Sequence, residues 1–193
     1  MTASAPIFEL RNLAFSWPDA MGNAGRGKPV FRDLNFSLTD SEKIGLYGPN
    51  GCGKTTLGQR LTGETVSYRK TQSIQVIGDG IVDTPGEYLE QKQFYSALIV
   101  TAVEADVILL LLSATDEQST FSPRMSSMFG GKPVIGVITK TDLCRDKERI
   151  EIGKEILEIA GAQEILEIGF GDDACIETLK SRIEKSSPAI QIP

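Results

Sequence analysis

Ile44-Gly-Leu-Tyr-Gly-Pro-Asn-Gly-Cys-Gly-Lys-Thr55 decides how the rest of the chain is read. A short apolar strand runs into a glycine-rich turn, and Gly48 to Thr55 satisfies the G-x-x-x-x-G-K-[ST] pattern. Such a turn lets the backbone wrap closely around a phosphate chain, with its N–H groups pointing inward. The helix expected from Lys54 to about Gly63 then presents its positive N-terminal end to the anion. Gly48, Asn50, Gly51, Cys52, Gly53, Lys54, Thr55 and Thr56 are therefore candidate nucleotide-binding residues. Lys54 is expected to reach the β- and γ-phosphates, and the Thr55 hydroxyl to ligate Mg²⁺. A thiol at a helix N-terminus, as at Cys52, is either lowered in pKa or simply a small residue that fits the loop.

Downstream, Ser73 to Gly78 and Ile81 to Asp83 read as strands about Asp79-Gly80, a dipeptide suited to a type I′ hairpin turn. Tyr88 to Ala105 reads as a helix with Phe94, Ala97, Leu98, Thr101, Ala102 and Ala105 on one face. Val107 to Leu112 is apolar throughout, as expected of a parallel strand buried on both faces. Pro133 to Ile138 reads the same way. Asp146 to Ala160 is an amphipathic helix ending at Gly161, followed by a strand at Ile165 to Ile168 and a helix at Ala174 to Ile183. This alternation predicts an α/β P-loop NTPase, its mostly parallel sheet flanked by helices. Upstream, Ile7 to Trp17 and Val30 to Leu38 carry period-2 apolar character with some slippage, and predict an added antiparallel β hairpin. The expected organisation is a hairpin subdomain at 1–42, a core at 43–185 and a tail at 186–193.

Two further motifs carry chemistry. Asp83-Thr-Pro-Gly86 ends a strand after the P-loop, where an Asp holds Mg²⁺ and a Gly N–H contacts the γ-phosphate. Thr139-Lys-Thr-Asp142 follows the strand that ends at Ile138. A carboxylate at Asp142 can accept from guanine N1–H and N2–H₂, whereas adenine has no proton at N1 and leaves the acceptor unpaired. Lys140 is expected to lie along the base, with Thr139 beside it. The expected ligands are Mg²⁺ and GTP or GDP, with ATP or ADP as the alternative.

Composition narrows the field. The net charge is −6 and there is no Lys/Arg-rich run, which argues against nucleic acid as a partner. The chain contains no histidine, so histidine catalysis and most zinc chemistry are excluded. Three cysteines without metal-like spacing suit a reduced, cytoplasmic setting. Met1 to Pro6 lacks the features of a signal peptide, and the longest apolar run, Val107 to Leu112, is too short to span a bilayer.

Several runs are more specific than the general P-loop pattern. Gly48-Pro-Asn-Gly-Cys-Gly-Lys-Thr55, Tyr68-Arg-Lys-Thr-Gln72, Asp83-Thr-Pro-Gly-Glu-Tyr-Leu89, Phe94-Tyr-Ser-Ala-Leu98, Ser113-Ala-Thr-Asp-Glu117 and Lys132-Pro-Val-Ile-Gly-Val137 resemble the ethanolamine/propanediol utilisation GTPase-like family of bacterial microcompartment operons. The resemblance runs from about Ile44 to Ile183. It implies a GTPase-like fold and makes Thr71 the candidate switch threonine over Mg²⁺ and the γ-phosphate. It also implies a microcompartment shell or pathway enzymes as partners, and a location in the cytoplasm or at a microcompartment. Two departures stand out. Glu87 occupies the place where small GTPases have a water-orienting Gln, and Gly169-Phe170 stands where a Ser-Ala pair usually supports guanine.

Residues 7–50 tell a second story. Phe8-Glu-Leu-Arg-Asn-Leu-Ala-Phe-Ser-Trp-Pro18 and Lys28-Pro-Val-Phe-Arg-Asp-Leu-Asn-Phe-Ser-Leu38, running into the P-loop, resemble the start of an ABC-transporter ATPase. The resemblance implies an adenine-stacking role for Trp17, against the alternative of a hairpin aromatic. The Leu-Ser-Gly-Gly-Gln signature and a switch histidine are both missing. Three readings follow: a Mg²⁺-dependent, slowly hydrolysing GTP-binding protein with Lys54, Thr71 and Glu87 at the reacting phosphate; an ATP-dependent small-molecule phosphotransferase or ABC-like ATP-binding module without transport-type dimerisation; and a non-catalytic module whose hairpin docks a partner.

Overall fold

The computed structural model of the chain describes residues 8–16, 29–38, 43–67, 73–78, 80–116 and 121–186. The chain divides into two compact units, Met1–Ser41 and Glu42–Pro193. In the first unit, β1 (Phe8–Ser16) pairs antiparallel with β2 (Pro29–Leu38). Phe8 stands opposite Leu38 and Leu10 opposite Phe36; a register shift then puts Leu13 opposite Leu34 and Phe15 opposite Phe31. The shift between Leu10 and Leu13 accounts for the slippage in the period-2 pattern, because one extra residue moves the apolar set from even to odd positions.

The second unit is a six-stranded sheet in the order β4-β5-β3-β6-β7-β8. Its strands are β3 (Ile44–Tyr47), β4 (Gln75–Ile77), β5 (Ile81–Asp83), β6 (Val107–Ser113), β7 (Val134–Thr139) and β8 (Glu164–Ile168). All neighbours are parallel except the edge pair β4–β5. The apolar run in β6 is explained by its two faces. Ile108, Leu110 and Leu112 pack with Leu98, Phe129 and Leu157, whereas Val107, Leu109 and Leu111 pack with Leu57, Ile176 and Leu179. Every residue of β6 is buried, and each Leu or Ile so enclosed contributes roughly 1.5–3 kcal/mol.

Helices cover both faces: α1 (Lys54–Thr62), α2 (Glu87–Glu90), α3 (Tyr95–Glu104), α4 (Lys147–Ala160) and α5 (Asp173–Ser186). The ends of α1 and α4 lie where their glycines predict, at Gly63 and Gly161, both in the left-handed conformation. Asp146 caps α4 by accepting the Glu148 N–H at 3.0 Å.

Two local expectations need correcting. The helix expected over Tyr88–Ala105 is broken: Gln91 is extended, at φ −120° and ψ 113°, and a 3₁₀ turn at Lys92–Phe94 separates α2 from α3. The break lets the Tyr88 ring stack on Phe94, 5.0 Å between centroids, while Leu89 stays buried. In the β4–β5 hairpin, Ile77 pairs with Ile81, so three residues connect the strands rather than the Asp79-Gly80 pair alone. Gly78 supplies the positive φ, and Asp79 lies outside the described residues. Among the described residues no helix is long and apolar enough to cross a membrane.

Tyr47, the last residue of β3, is fully buried, with its hydroxyl 3.1 Å from Thr101 Oγ1 and 3.4 Å from the Leu98 carbonyl. Burial pushes its phenol well above the ordinary tyrosine range, so the hydroxyl stays a donor at any working pH. Tyr47→Phe removes that donor while keeping the ring against Phe129. The expected cost is about 1 kcal/mol, or a melting point lower by about 2–4 °C, measured by thermal unfolding.

Candidate functional site

The site grows from the end of β3. Gly48 to Gly53 form a loop whose last residue, Gly53, has φ 96° and leads into α1. A side chain is strained at that φ, which glycine adopts freely. The first turn of α1 holds no acidic residue and no side-chain cap, which leaves its amide donors to an anion. Lys54 is buried, and its ammonium donates to the Gly48 and Pro49 carbonyls at 2.7 and 2.9 Å. The lysine arches over the loop that would hold the phosphates.

Parallel pairing sets Leu46 beside Asp83, so the carboxylate at the end of β5 faces the start of α1. Thr55 Oγ1 donates to Asp83 Oδ2 at 2.6 Å, and Asp83 is fully buried. A hydroxyl and a carboxylate oxygen in contact form a hard donor pair of the kind Mg²⁺ takes together with substrate phosphates. The pair therefore fits the ion that the motif implies. Gly86 lies against the P-loop: a Cβ there would stand 2.6 Å from the Pro49 carbonyl carbon and overlap the Asn50 amide. Only glycine permits this approach. Glu87 follows it, exposed, as the first residue of α2.

The other end of the loop meets β7. Thr139 Oγ1 donates to the Cys52 carbonyl at 2.6 Å, tying the P-loop to the Thr139–Asp142 motif. Lys140 adopts φ 57°, and Asp142 Oδ1 accepts the Phe170 N–H at 2.8 Å. A cavity of ≈ 470 Å³ opens between these segments, lined among others by Gly53, Thr56, Thr139, Lys140 and Asp142. Its size is that of a small-molecule pocket. Gly48, Asn50, Gly51, Cys52, Gly53, Lys54, Thr55, Thr56, Asp83, Gly86, Thr139, Lys140 and Asp142 thus surround one loop. Thr71 and Trp17 lie outside the described residues.

Cys52 is buried completely, and that burial pushes its thiol up to about 11, against the pull of the nearby Lys54 charge. Of the two sequence readings, the small loop-filling residue is the one the structure supports. Arg60 was not evident from the sequence. It donates from Nη1 to the Gly169 carbonyl at 3.3 Å and pairs through Nη2 with Asp173 at 2.9 Å. Its only local signal is a basic residue in the last turn of α1.

Fold and site together define a P-loop nucleotide-binding protein of the GTPase-like α/β class. Within that class the chain belongs to the family described as "Ethanolamine utilisation - propanediol utilisation" (PduV-EutP), which matches residues 41–185. The propanediol utilization protein PduV of Citrobacter freundii is 46% identical over 124 residues, 64% of this chain and 81% of that protein. A protein of Escherichia coli (strain K12) named "Probable acetate kinase EutP" is 32% identical over 138 residues, 72% of this chain and 86% of that one. Era in complex with MgGDPNP and a segment of 16S ribosomal RNA superimposes with a TM-score of 0.52 at 24% identity. That match covers 76% of this chain and 57% of Era, and it speaks to the fold.

The raised Cys52 pKa has a direct consequence. The thiol remains protonated until pH rises toward about 11, so passing from about pH 7 to about pH 9 creates little thiolate there. Iodoacetamide at about pH 8 is expected to modify the part-exposed Cys144 of the folded chain and to reach Cys52 only after unfolding. Peptide mass mapping checks this; Cys52 alkylated as fast as Cys144 in the folded protein would contradict it.

Proposed function

We propose that the chain is a Mg²⁺-dependent nucleotide-binding protein that prefers GTP and hydrolyses it slowly. The observation that carries this reading is the 2.6 Å contact of Thr55 with Asp83 at the uncapped first turn of α1, beside the glycine loop. Thr55 and Asp83 are the residues that would hold Mg²⁺; when bound, the ion neutralises phosphate charge as the γ-phosphoryl group departs. Lys54 exchanges its two loop carbonyls for β- and γ-phosphate oxygens. Thr71 is given the role of switch threonine that the family resemblance implies. Gly86 brings its backbone to the γ-phosphate, and Asp142 reads guanine through its two hydrogen-bond donors. Glu87 explains slow turnover. A carboxylate there repels the phosphate anion, while still being able to take a proton from an attacking water.

Calorimetry with Mg²⁺ tests the base preference. GTP is expected to bind at least about ten-fold more tightly than ATP, and Asp142→Ala to erase the difference, since an unpaired acceptor costs about 1–3 kcal/mol. ATP preferred equally by both proteins would overturn the reading and move base selection to the Trp17 segment.

A second reading has its own support. Glu87 in place of a water-orienting amide, and the likeness to the Escherichia coli protein named a probable acetate kinase, favour transfer of the γ-phosphoryl group to a small carboxylate. Under the first reading, acetate added to protein, Mg²⁺ and GTP or ATP leaves nucleotide consumption at its buffer rate. An acetate-dependent rise with stoichiometric acyl phosphate would reverse the order of the two readings. On either reading the family supports a role in propanediol or ethanolamine utilisation.

A further inference from the structure

The cavity beside the P-loop carries two large apolar side chains at its rim, Phe170 and Leu143, which are 75% and 65% exposed. An aromatic ring left in water forgoes most of its burial free energy, so a ring at a pocket mouth invites a flat partner. Its backbone, in contrast, is held on both sides. The Phe170 N–H donates to Asp142 Oδ1 at 2.8 Å. The preceding Gly169 carbonyl accepts from Arg60, whose other arm pairs with Asp173. Gly169 eases this closeness: a Cβ there would stand 3.3 Å from Asp142 Cβ, a tight contact that asks the neighbour to give by a few tenths of an ångström. A pinned backbone with a solvated ring, next to the carboxylate that reads the base, is the geometry of a stacking platform.

We propose that Phe170 is the residue on which the nucleobase stacks, and that this chain divides base recognition between Asp142, which selects, and Phe170, which supplies affinity. The proposal rests on the nucleotide-binding reading above. Every base has a π-face, so stacking is tolerant of base identity, whereas the carboxylate distinguishes bases by their donors. Asp142 Oδ1 keeps a second lone pair, so its bond to the Phe170 N–H coexists with a base donor and ties the carboxylate to the residue that carries the ring.

The experiment uses the full chain with Mg²⁺ and measures GDP, IDP and ADP binding to wild type, Phe170→Ala, Phe170→Trp and Asp142→Ala. Inosine lacks the N2 donors of guanine, so it reports on selection. Phe170→Ala is expected to weaken all the nucleotides that wild type binds by about ten-fold and to keep the GDP:IDP ratio. Asp142→Ala is expected to collapse that ratio instead. Phe170→Trp keeps near-wild-type affinity, and its added emission is quenched by GDP beyond any change seen in wild type, which carries Trp17. Melting points of the Phe170 variants should match wild type, because the ring is mostly exposed. Wild-type affinity in Phe170→Ala, or a GDP:IDP ratio that shifts with Phe170, overturns the proposal. If wild type binds ADP in preference to GDP, the guanine reading fails while Phe170→Ala still decides stacking through ADP. Absence of any nucleotide binding to wild type overturns both.

Discussion

The parallel pairing of β3 with a strand on either side governs where the rest of the second unit can act. β3 is only four residues long, and it ends directly in the glycine loop. Its register with β5 puts Leu46 beside Asp83, and its register with β6 puts Tyr47 beside Leu110. All strands but β4 run the same way, so their C-terminal ends open on one edge, where loops of an open α/β sheet gather ligands. The P-loop, the Asp83–Gly86 segment, Thr139–Asp142 and Gly169–Phe170 are the continuations of β3, β5, β7 and β8 at that edge. Move β3 by one residue, and Thr55 no longer meets Asp83.

This edge concentrates groups that burial alone would disfavour. Lys54 and Asp83 are both buried, and a charge removed from water needs a partner close by. Lys54 satisfies its ammonium on the Gly48 and Pro49 carbonyls, which are neutral acceptors. A phosphate oxygen offers a charged acceptor in the same reach, and charge-assisted bonds are the stronger ones. The loop is thus folded around an arrangement that an anion improves. Cys52 illustrates the competing pull at the same spot: it has the Lys54 charge within 4.0 Å of its sulfur, yet desolvation wins and the thiol stays neutral.

Much of this was legible in the sequence because it is local. The glycine-lysine turn, the doubly buried strands Val107–Ser113 and Val134–Thr139, and the glycine ends of α1 and α4 are each written in a few adjacent residues. Features that depend on distant partners were not. Nothing near Gln91 announces a helix break, because the break is favoured by Tyr88 reaching back to Phe94 and Leu89 turning into the core. Arg60 reads as an ordinary basic residue near a helix end, and its contact to Gly169 spans 109 residues of sequence. The Gly169-Phe170 pair was visible as a departure from the usual Ser-Ala, but its connection to Asp142 emerges only when β7 and β8 lie side by side.

That connection changes how the departure is understood. With glycine at 169 there is no side-chain hydroxyl to steady Asp142, and the backbone N–H of Phe170 takes over that bond. Thr139 likewise ties the Lys140–Asp142 end of the cavity to the P-loop through one hydroxyl bond to the Cys52 carbonyl. The contacts are fewer and more dependent on backbone placement, so they need an anchor from outside the two loops. Arg60 supplies it: its guanidinium lies on α1, the helix whose first turn carries Lys54 and Thr55. The helix whose first turn carries Lys54 and Thr55 therefore holds the Gly169–Phe170 loop with its last turn, so one rigid element fixes both sides of the cavity.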